Sequence, residues 1–344
     1  MDKLIISTAD IKKNIEKVRK QAGVQLIGTI EHGGYGCGSR FLARAYVNSG
    51  VQMFASSDAE VLNEVLDDFP QISALLTCPV IGRAELECII RRGVIATVTS
   101  ASDAVRLNAA AEQADCIVKV HLLIRTHKDG CGITISQAES TALSLITCHN
   151  LEVDGAYTYI DPHNYKKQKA IMKQKELFDA TLSIINDSGV STPVRHIAEG
   201  YTALRYPAIS YNAVRVGDAV IGRMDEKDRW NLSPVGEIET KIVGFTVIPA
   251  EADSDIKTSK DRKFGVTVLA NNRAVYEALP DKLIPFSEKQ IFCQHGKKKL
   301  RAYTQCGSST VLLSCGKTVV EQGVTVRFSA DPRIVYVDCI RNYE

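Results

Sequence analysis

Residues 24–38 read Val-Gln-Leu-Ile-Gly-Thr-Ile-Glu-His-Gly-Gly-Tyr-Gly-Cys-Gly, and this stretch decides how the rest of the chain is interpreted. An apolar run, residues 24–27, leads into a glycine-rich turn, and residues 39–48 after it have the pattern of a helix. A strand that passes through such a turn into a helix is typical of α/β proteins, which place ligand sites at these turns. The turn carries four chemically reactive side chains: Glu31, His32, Tyr35 and Cys37.

The same alternation of short apolar runs and helix-length amphipathic stretches continues to about residue 223. Eight strand–helix units in about 220 residues have the number and size of a (β/α)8 TIM barrel, with a doubly wound sheet as the alternative. A barrel has its ligand site at the C-terminal ends of the strands, where the turn after residue 30 falls. The predicted strands lie near residues 25–30, 52–56, 73–77, 95–99, 117–124, 153–159, 194–198 and 213–216. The predicted helices include residues 59–68, 101–114, 136–148 and 166–188.

The pattern changes after residue 223. Short alternating runs, separated by turns of Gly, Asn, Asp and Lys, predict an all-β domain. The predicted fold class is therefore α/β, a TIM barrel over residues 1–228 followed by a C-terminal all-β domain over residues 229–344.

The composition is that of an ordinary globular protein, with 45% hydrophobic residues, 24% charged residues and a net charge of +2. Because the charges are spread along the chain, nucleic acid is not an expected partner. No apolar run is long enough to span a membrane, and the N-terminus does not have the pattern of a signal peptide. The ten cysteines are scattered without metal-ligand spacing, so reduced thiols and a cytoplasmic location are expected.

The order of these features resembles the alanine racemases, which are pyridoxal-phosphate (PLP) enzymes of fold-type III. Residues 7–15 resemble the family's first helix, and residues 200–222, with Val-Arg-Val-Gly at 214–217, resemble the segment that closes its barrel. Residues 333–336 match its final tyrosine strand. The resemblance covers nearly the whole chain. It implies a barrel followed by a β domain, and a head-to-tail homodimer in which one subunit's β domain completes the partner's site.

The family's lysine motif, Val-Val-Lys-Ala-Asn-Ala-Tyr-Gly-His-Gly, aligns on its tyrosine with residues 29–38 and puts Glu31 at the lysine position. The family's second base, a tyrosine of the β domain, matches Asn271. A carboxylate cannot form a Schiff base and an amide does not exchange protons as a base, so the resemblance implies that PLP racemisation is lost. Other family positions also differ: an arginine facing the cofactor ring becomes Gly130, a histidine becomes Tyr159, and an Asn-Ser pair becomes Glu199-Gly200.

Several cofactor-binding positions of the family are retained. Tyr35 and Tyr336 match the two tyrosines that hold the cofactor phosphate, and Gly217 and Asp218 match backbone donors to it. Arg215 matches the arginine that faces the ring nitrogen, and His196 matches its partner. As a set they predict a retained anion site. Taken singly, each has a structural alternative: a core tyrosine, a turn glycine, or a buried Arg–His pair.

Two interpretations of Glu31 are open. In the first, Glu31 forms an ion pair with a cation where the cofactor ring would lie, and the candidates are Arg125, Lys128 and Arg215. In the second, Glu31 is a substitution that accumulated by drift after catalysis was lost.

Cofactor-independent racemases use two facing cysteines as acid and base. The resemblance brings Cys131, with Cys37 and Cys306, to the mouth of the site, although ten cysteines would put several there by chance. No metal site is predicted, because His32, His127 and Asp161 do not have the spacing of a ligand motif.

The predicted function is that of a non-catalytic racemase homologue that binds a small anionic or phosphorylated ligand, or PLP without a covalent bond. It would act as a homodimer or as the partner of a racemase paralogue. An active amino-acid racemase or isomerase with replaced catalytic groups is the alternative, and a structural scaffold is a third.

Overall fold

The computed structural model describes residues 3–160, 166–222, 230–250, 262–268, 291–295, 298–304, 310–314, 321–334 and 340–344. The chain divides into two compact units: Asn14–Val220, and Met1–Lys13 together with Ile221–Glu344. The domain boundary predicted between residues 228 and 229 lies outside the described residues.

The first unit is a barrel of parallel strands. After strand β1 (Lys3–Ile6) and helix α1 (Thr8–Ala22), eight strands follow: β2 (Gln25–Thr29), β3 (Met53–Ser56), β4 (Ser73–Pro79), β5 (Ile95–Val98), β6 (Val118–Leu123), β7 (Leu151–Tyr157), β8 (Val194–His196) and β9 (Ala213–Val216). They are hydrogen-bonded in the order β8-β7-β6-β5-β4-β3-β2-β9, all parallel. An isolated bridge between Glu199 and Arg215 then brings β9 beside the chain that leaves β8, so the barrel is nearly closed. The predicted (β/α)8 barrel is confirmed.

Helices cover the barrel strands from outside. The four-residue turn α2 (His32–Tyr35) follows β2, and the covering helices are α3 (Ser39–Asn48), α4 (Ala59–Asp68), α5 (Arg83–Arg92), α6 (Ala101–Gln113), α7 (Ala138–Thr147), α8 (Gln168–Asp187) and α9 (Gly200–Arg205). Local signals explain their starts: the Asp58 carboxylate accepts from the amide of Glu60 at 2.8 Å at the start of α4, and Ser100 caps α6 in the same way. Each predicted helix is present, with small shifts at its ends.

The inside of the barrel is filled by side chains from alternate positions of the strands. Such layers are what makes a barrel of this size a packed core rather than a pore. One buried cluster consists of Ile27, Met53, Ala55, Leu75, Ile95, Leu123, Tyr157 and Ala213.

The second unit is a largely antiparallel sheet of β1 with β10 (Glu237–Ile248), β11 (Arg262–Val268), β12 (Ile291–His295), β13 (Lys298–Thr304), β14 (Thr310–Ser314), β15 (Thr325–Ser329) and β16 (Ile340–Tyr343). Because the long strand β10 pairs with both β11 and β15, six of these strands close on themselves. The predicted C-terminal β domain is confirmed. The sequence did not predict β1, which pairs with β10 and, in parallel, with β16.

Candidate ligand site at the barrel mouth

The turn after β2 is a left-handed loop. His32, Gly33, Gly34 and Tyr35 all have positive φ angles, of 48°, 63°, 65° and 53°. Glycine adopts this conformation without steric cost, whereas a residue with a Cβ such as Tyr35 is held there at a cost of about 1–2 kcal/mol. The Tyr35 amide donates to the Glu31 carbonyl at 2.8 Å, and the Gly38 amide to the Gly33 carbonyl at 2.9 Å. The loop thus turns the Tyr35 side chain back toward the barrel.

Glu31 lies at the C-terminal end of β2, and its carboxylate is bound by the residue that follows β3. The amide of Ser57 donates to Glu31 Oε1 at 2.7 Å, and the Ser57 hydroxyl donates to Oε2 at 2.7 Å. Within the described ranges Glu31 makes no ion pair, so none of the three cations considered from the sequence neutralises it. The carboxylate is half-buried and held by neutral donors.

Tyr35 is buried, and its hydroxyl lies where β2 and β9 end side by side. The hydroxyl is 2.9 Å from Thr29 Oγ1, which donates to the Val216 carbonyl at 2.8 Å. It also faces Gly217 so closely that any Cβ at residue 217 would collide with it. The predicted neighbours Tyr35 and Gly217 are therefore in contact.

Negative charge surrounds this tyrosine. Burial raises the pKa of the Tyr35 phenol well above its usual value, and nearby carboxylates add to the effect. Those carboxylates belong to Asp218, Glu31 and Glu199. The described part of the mouth is thus rich in acidic groups.

Arg215 is the largest fully buried side chain among the residues that the structure describes, with 2% of its surface exposed. Its guanidinium donates to Glu199 Oε1 at 3.0 Å and to the Thr158 carbonyl at 2.7 Å. The other terminal nitrogen donates to both the ring Nδ1 (2.8 Å) and the carbonyl (2.9 Å) of His196. The predicted Arg215–His196 pair exists, and Glu199 completes it as a carboxylate partner.

Two tyrosine rings lie against this guanidinium. The Arg215 Cζ atom is 5.2 Å from the centre of the Tyr157 ring and 4.9 Å from that of Tyr159. The Tyr159 hydroxyl lies 3.3 Å from the Thr77 carbonyl. Burial raises the pKa of the Tyr159 phenol, which stays protonated near neutral pH.

Cys131 is exposed on the segment after β6. In that segment the Arg125 guanidinium donates to the carbonyls of His127 and Lys128. The His127 imidazole packs on Gly130, since a Cβ there would lie 2.9 Å from His127 Nε2. His127 thus occupies the space that a larger side chain at residue 130 would need.

The structure therefore brings Glu31, Tyr35, His196, Arg215, Gly217 and Asp218 to one end of the barrel unit. Asn271, Tyr336, Asp161 and Cys306 lie outside the described residues. Ser57 and His121 were not predicted from the sequence, because their partners are distant along the chain. A histidine inside a largely apolar strand was the available signal for His121.

Glu31 does not fit a covalently bound PLP, because a carboxylate forms no Schiff base and Ser57 binds both of its oxygens. Tyr35 lies against Gly217, and the resemblance implies a phosphate cradle at these two residues. The acidic groups around Tyr35 oppose a doubly charged phosphate unless other donors compensate.

Gly217→Ala tests the contact between Tyr35 and Gly217. The added methyl would lie 2.5 Å from Thr29 Oγ1 and would displace the Tyr35 ring, so we expect a loss of about 1–3 kcal/mol of stability. Chemical denaturation followed by far-ultraviolet circular dichroism measures it. Gly244→Ala is the control, because its Cβ would meet no atom within 4 Å. Equal stability of Gly217→Ala and wild type would show that the contact is loose.

Among the described residues, no helix is long and apolar enough to cross a membrane. No group of three or more His, Cys, Asp or Glu side chains in that part of the chain could hold a metal ion. The six cysteines with described side chains, Cys37, Cys78, Cys88, Cys116, Cys131 and Cys148, are free thiols.

Curated relatives of the chain are racemases. The alanine racemase of Methanococcus maripaludis is 23% identical over 257 residues, which cover 71% of this chain and 67% of the relative. The alanine racemase of Treponema denticola is 26% identical over 271 residues, covering 76% and 69%. The matched region thus spans about two thirds of the length of these relatives. The serine/alanine racemase of Enterococcus gallinarum is 21% identical, covering 68% of this chain and 34% of the relative.

Solved structures agree on the fold. Alanine racemase from Streptomyces lavendulae superposes with a TM-score of 0.80 at 17% identity, over 100% of this chain and 97% of that one. The Acinetobacter baumannii enzyme gives 0.80 at 13% identity, over 100% and 99%. The family model for the alanine racemase N-terminal domain matches residues 6–225, which is most of the chain. The chain therefore belongs to the alanine racemase family.

Proposed function

We propose that this chain is a non-catalytic member of the alanine racemase family that binds a small ligand at the barrel mouth without a covalent bond. The expected ligand is anionic or phosphorylated, with PLP held non-covalently as one case. The single observation that carries the proposal is Glu31. A carboxylate at the end of β2, where the family resemblance implies the lysine, cannot form a Schiff base.

The hydrogen bonds of the Glu31 carboxylate support a structural role for this side chain. A side chain left behind by drift has no reason to be bound at both oxygens, whereas Ser57 donates to Glu31 Oε1 and Oε2 at 2.7 Å each. The Ser57 amide opens the segment leading to α4, so the carboxylate joins the ends of two neighbouring strands. A structural role for Glu31 is consistent with a protein that keeps the fold around the site but does not catalyse racemisation.

The ligand part of the proposal rests on Tyr35, Gly217 and the backbone at Asp218. Tyr35 and Gly217 are in contact at the end of β9, as the resemblance implies for a phosphate cradle. Arg215 already has Glu199 as its carboxylate partner at 3.0 Å. A bound anion would therefore depend more on backbone and hydroxyl donors than on the charge of Arg215.

A covalent-binding test addresses the non-catalytic part. The purified protein is mixed with PLP, and its visible absorption is recorded before and after borohydride. We expect no borohydride-sensitive band in wild type or in Glu31→Gln, and a band in Glu31→Lys, because only a lysine at that position supplies an amine. Glu31→Gln is the matched control, since it removes the carboxylate charge without adding an amine. A reducible band in wild type would contradict the proposal.

Activity and ligand binding are tested separately. Incubation in deuterated water with alanine, serine or lysine is expected to leave the Cα hydrogen of each in place. Deuterium uptake would instead favour an active isomerase with replaced catalytic groups. PLP and inorganic phosphate are expected to raise the melting temperature through binding to the folded state. No stabilisation by either would refute the anion site while leaving the absence of catalysis intact.

Association as a homodimer or with a racemase paralogue, a cytoplasmic location, and the roles of Asn271, Tyr336 and Cys131 stay predictions.

A further inference from the structure

A line of polar side chains runs through the inside of the barrel from its mouth. Arg215 connects Glu199 at the mouth to His196 Nδ1, as described above. From there His196 Nε2 lies 3.0 Å from His121 Nδ1, and His121 Nε2 lies 3.5 Å from Asp154 Oδ2. We call these five residues the buried relay: Glu199, Arg215, His196, His121 and Asp154.

Only the two ends of the relay reach solvent. The two imidazoles are fully buried, while the side chains of Glu199 and Asp154 are 29% and 24% exposed. Asp154 also pairs with the exposed Lys119 at 3.3 Å, near the start of β6. The relay therefore joins the C-terminal mouth of the barrel to the side where β6 begins.

The positions of the protons in the relay follow from Arg215. A guanidinium has only donors, so His196 Nδ1 must accept and the proton of a neutral His196 must be on Nε2. That Nε2–H then donates to His121 Nδ1, so the proton of His121 must also be on Nε2. His121 Nε2–H then faces the Asp154 carboxylate at 3.5 Å, a charge–dipole contact that is longer than a hydrogen bond and leaves Nε2 without a hydrogen-bond partner among the described residues. The Arg215–His196 and His196–His121 hydrogen bonds each have one donor and one acceptor only when both imidazoles are neutral.

Packing fixes both rings in the orientation that the relay needs. The Tyr157 ring stacks on His196 at 5.0 Å with an interplanar angle of 4°, and its hydroxyl lies 2.9 Å from Thr97 Oγ1. The His121 ring lies against Gly155, where a Cβ would come within 2.8 Å of Nε2. A glycine at residue 155 is required for the ring to lie there. The position of His121 therefore depends on the sequence of the neighbouring strand β7.

We propose that His121 and Asp154 are positioning residues: together with Arg215 they hold His196 as the neutral Nε2–H tautomer, whose Nδ1 accepts from Arg215 behind the barrel mouth. This role concerns the chain's own hydrogen bonds and is independent of whether any ligand or cofactor binds.

A pH response follows from the same geometry. A second proton on either imidazole would set an N–H group against another N–H group and break a hydrogen bond of His196, while Arg215 keeps its bonds to Glu199 and to the carbonyls of Thr158 and His196. The charged and titratable groups that face His121 are Lys119, Asp154, His196 and Arg215, and those that face His196 are His121, Arg215 and Tyr157. Burial lowers the pKa of both imidazoles, and the charge of Arg215 acts in the same direction. Both imidazoles are therefore uncharged at neutral pH, and the hydrogen bonds of the relay are formed.

Nitrogen-15 NMR of the full chain with labelled histidine tests the proposal directly. Long-range proton–nitrogen spectra distinguish the two neutral tautomers and the charged ring. We expect His121 and His196 to be neutral Nε2–H tautomers, unchanged between pH 8 and pH 6.5, the usual pKa of an imidazole. Either ring found as the Nδ1–H tautomer or as a charged imidazolium at pH 7 would overturn the proposal.

Variants at the far end of the relay test the coupling. Asp154→Ala removes the carboxylate that faces His121 Nε2, so the nitrogen resonances of His196 should shift although the two residues do not touch. Asp154→Asn keeps an acceptor and should leave them near their wild-type values. Lys119→Met is a second control, because it removes the ion pair of Asp154 without touching either ring. His196 resonances that are the same in Asp154→Ala and wild type would show that Asp154 has no positioning role.

Discussion

Arg215→Met is expected to lower the stability of the barrel unit by about 3–5 kcal/mol, the usual cost of removing one partner from a buried ion pair. The methionine would fill much of the space but donate no hydrogen bond. The Glu199 carboxylate and the His196 Nδ1 would lose the donor that Arg215 gives them. Arg215→Lys is expected to recover only part of the loss, since an ammonium does not have the planar fork that reaches these separate acceptors.

Two spectroscopic probes make this measurement specific to the unit. The described helices lie in Asn14–Val220, apart from the start of α1, so far-ultraviolet circular dichroism follows mainly the barrel. The single tryptophan, Trp230, belongs to the other unit and its fluorescence follows that part. In guanidinium titrations, the dichroism midpoint should fall for Arg215→Met. Arg83→Met is the control: its ion pair with Glu87 is at the surface, where such a pair contributes little to stability. Similar losses in both variants would refute a stabilising role for the buried pair.

Mild acid is expected to destabilise the barrel. Both relay imidazoles have a folded-state pKa below the usual value of about 6.5, so below that pH the unfolded chain binds more protons than the folded one. The free energy of unfolding should therefore fall as the pH falls from 6.5 toward 5.5. Because half of the unfolded imidazoles are already protonated at pH 6.5, each contributes at most about 1 kcal/mol over this range, which gives a fall of up to about 2 kcal/mol for the two.

The slope of stability against pH identifies the groups involved. His121→Asn removes one titrating ring and keeps an acceptor for His196, so the slope between pH 6.5 and 5.5 should be about half that of wild type. Hydrogen bonding to His121 lowers the pKa of Asp154, whose contribution is present at higher pH and lost only when the pH falls below its unfolded-state value. A stability that is constant from pH 6.5 to 5.5 would contradict neutral, buried imidazoles.

Local patterns were sufficient to predict most of the fold. Strands β2 to β9 are short apolar or β-branched runs, and α4 and α6 begin at Asp58 and Ser100, which are common helix caps. Strand β1 was not predicted because its stability comes from non-local pairing. Its partners are Glu237–Glu239 in β10 and Ile340–Tyr343 in β16, at the other end of the chain.

The candidate site was predictable to the extent that it depends on residue type. The motifs around Tyr35 and Gly217 predicted that these two residues belong to one site, and the alignment of Glu31 with the family's lysine stays a prediction. The partner of Glu31 was not predictable, because Ser57 is 26 residues away and nothing in its sequence context marks it. The cations considered for Glu31 were plausible by charge, but hydrogen bonding to Ser57 occurs instead.

For this protein, the order of the residues is enough to define a barrel with a β domain and to exclude a Schiff base at residue 31, because both depend on local pattern and on the chemistry of one side chain. The partners of the charged groups depend on which strands lie side by side. Only the closed barrel brings Glu199 to Arg215 and aligns His196, His121 and Asp154 behind them, since hydrogen bonds require distances near 3 Å between residues far apart in the chain.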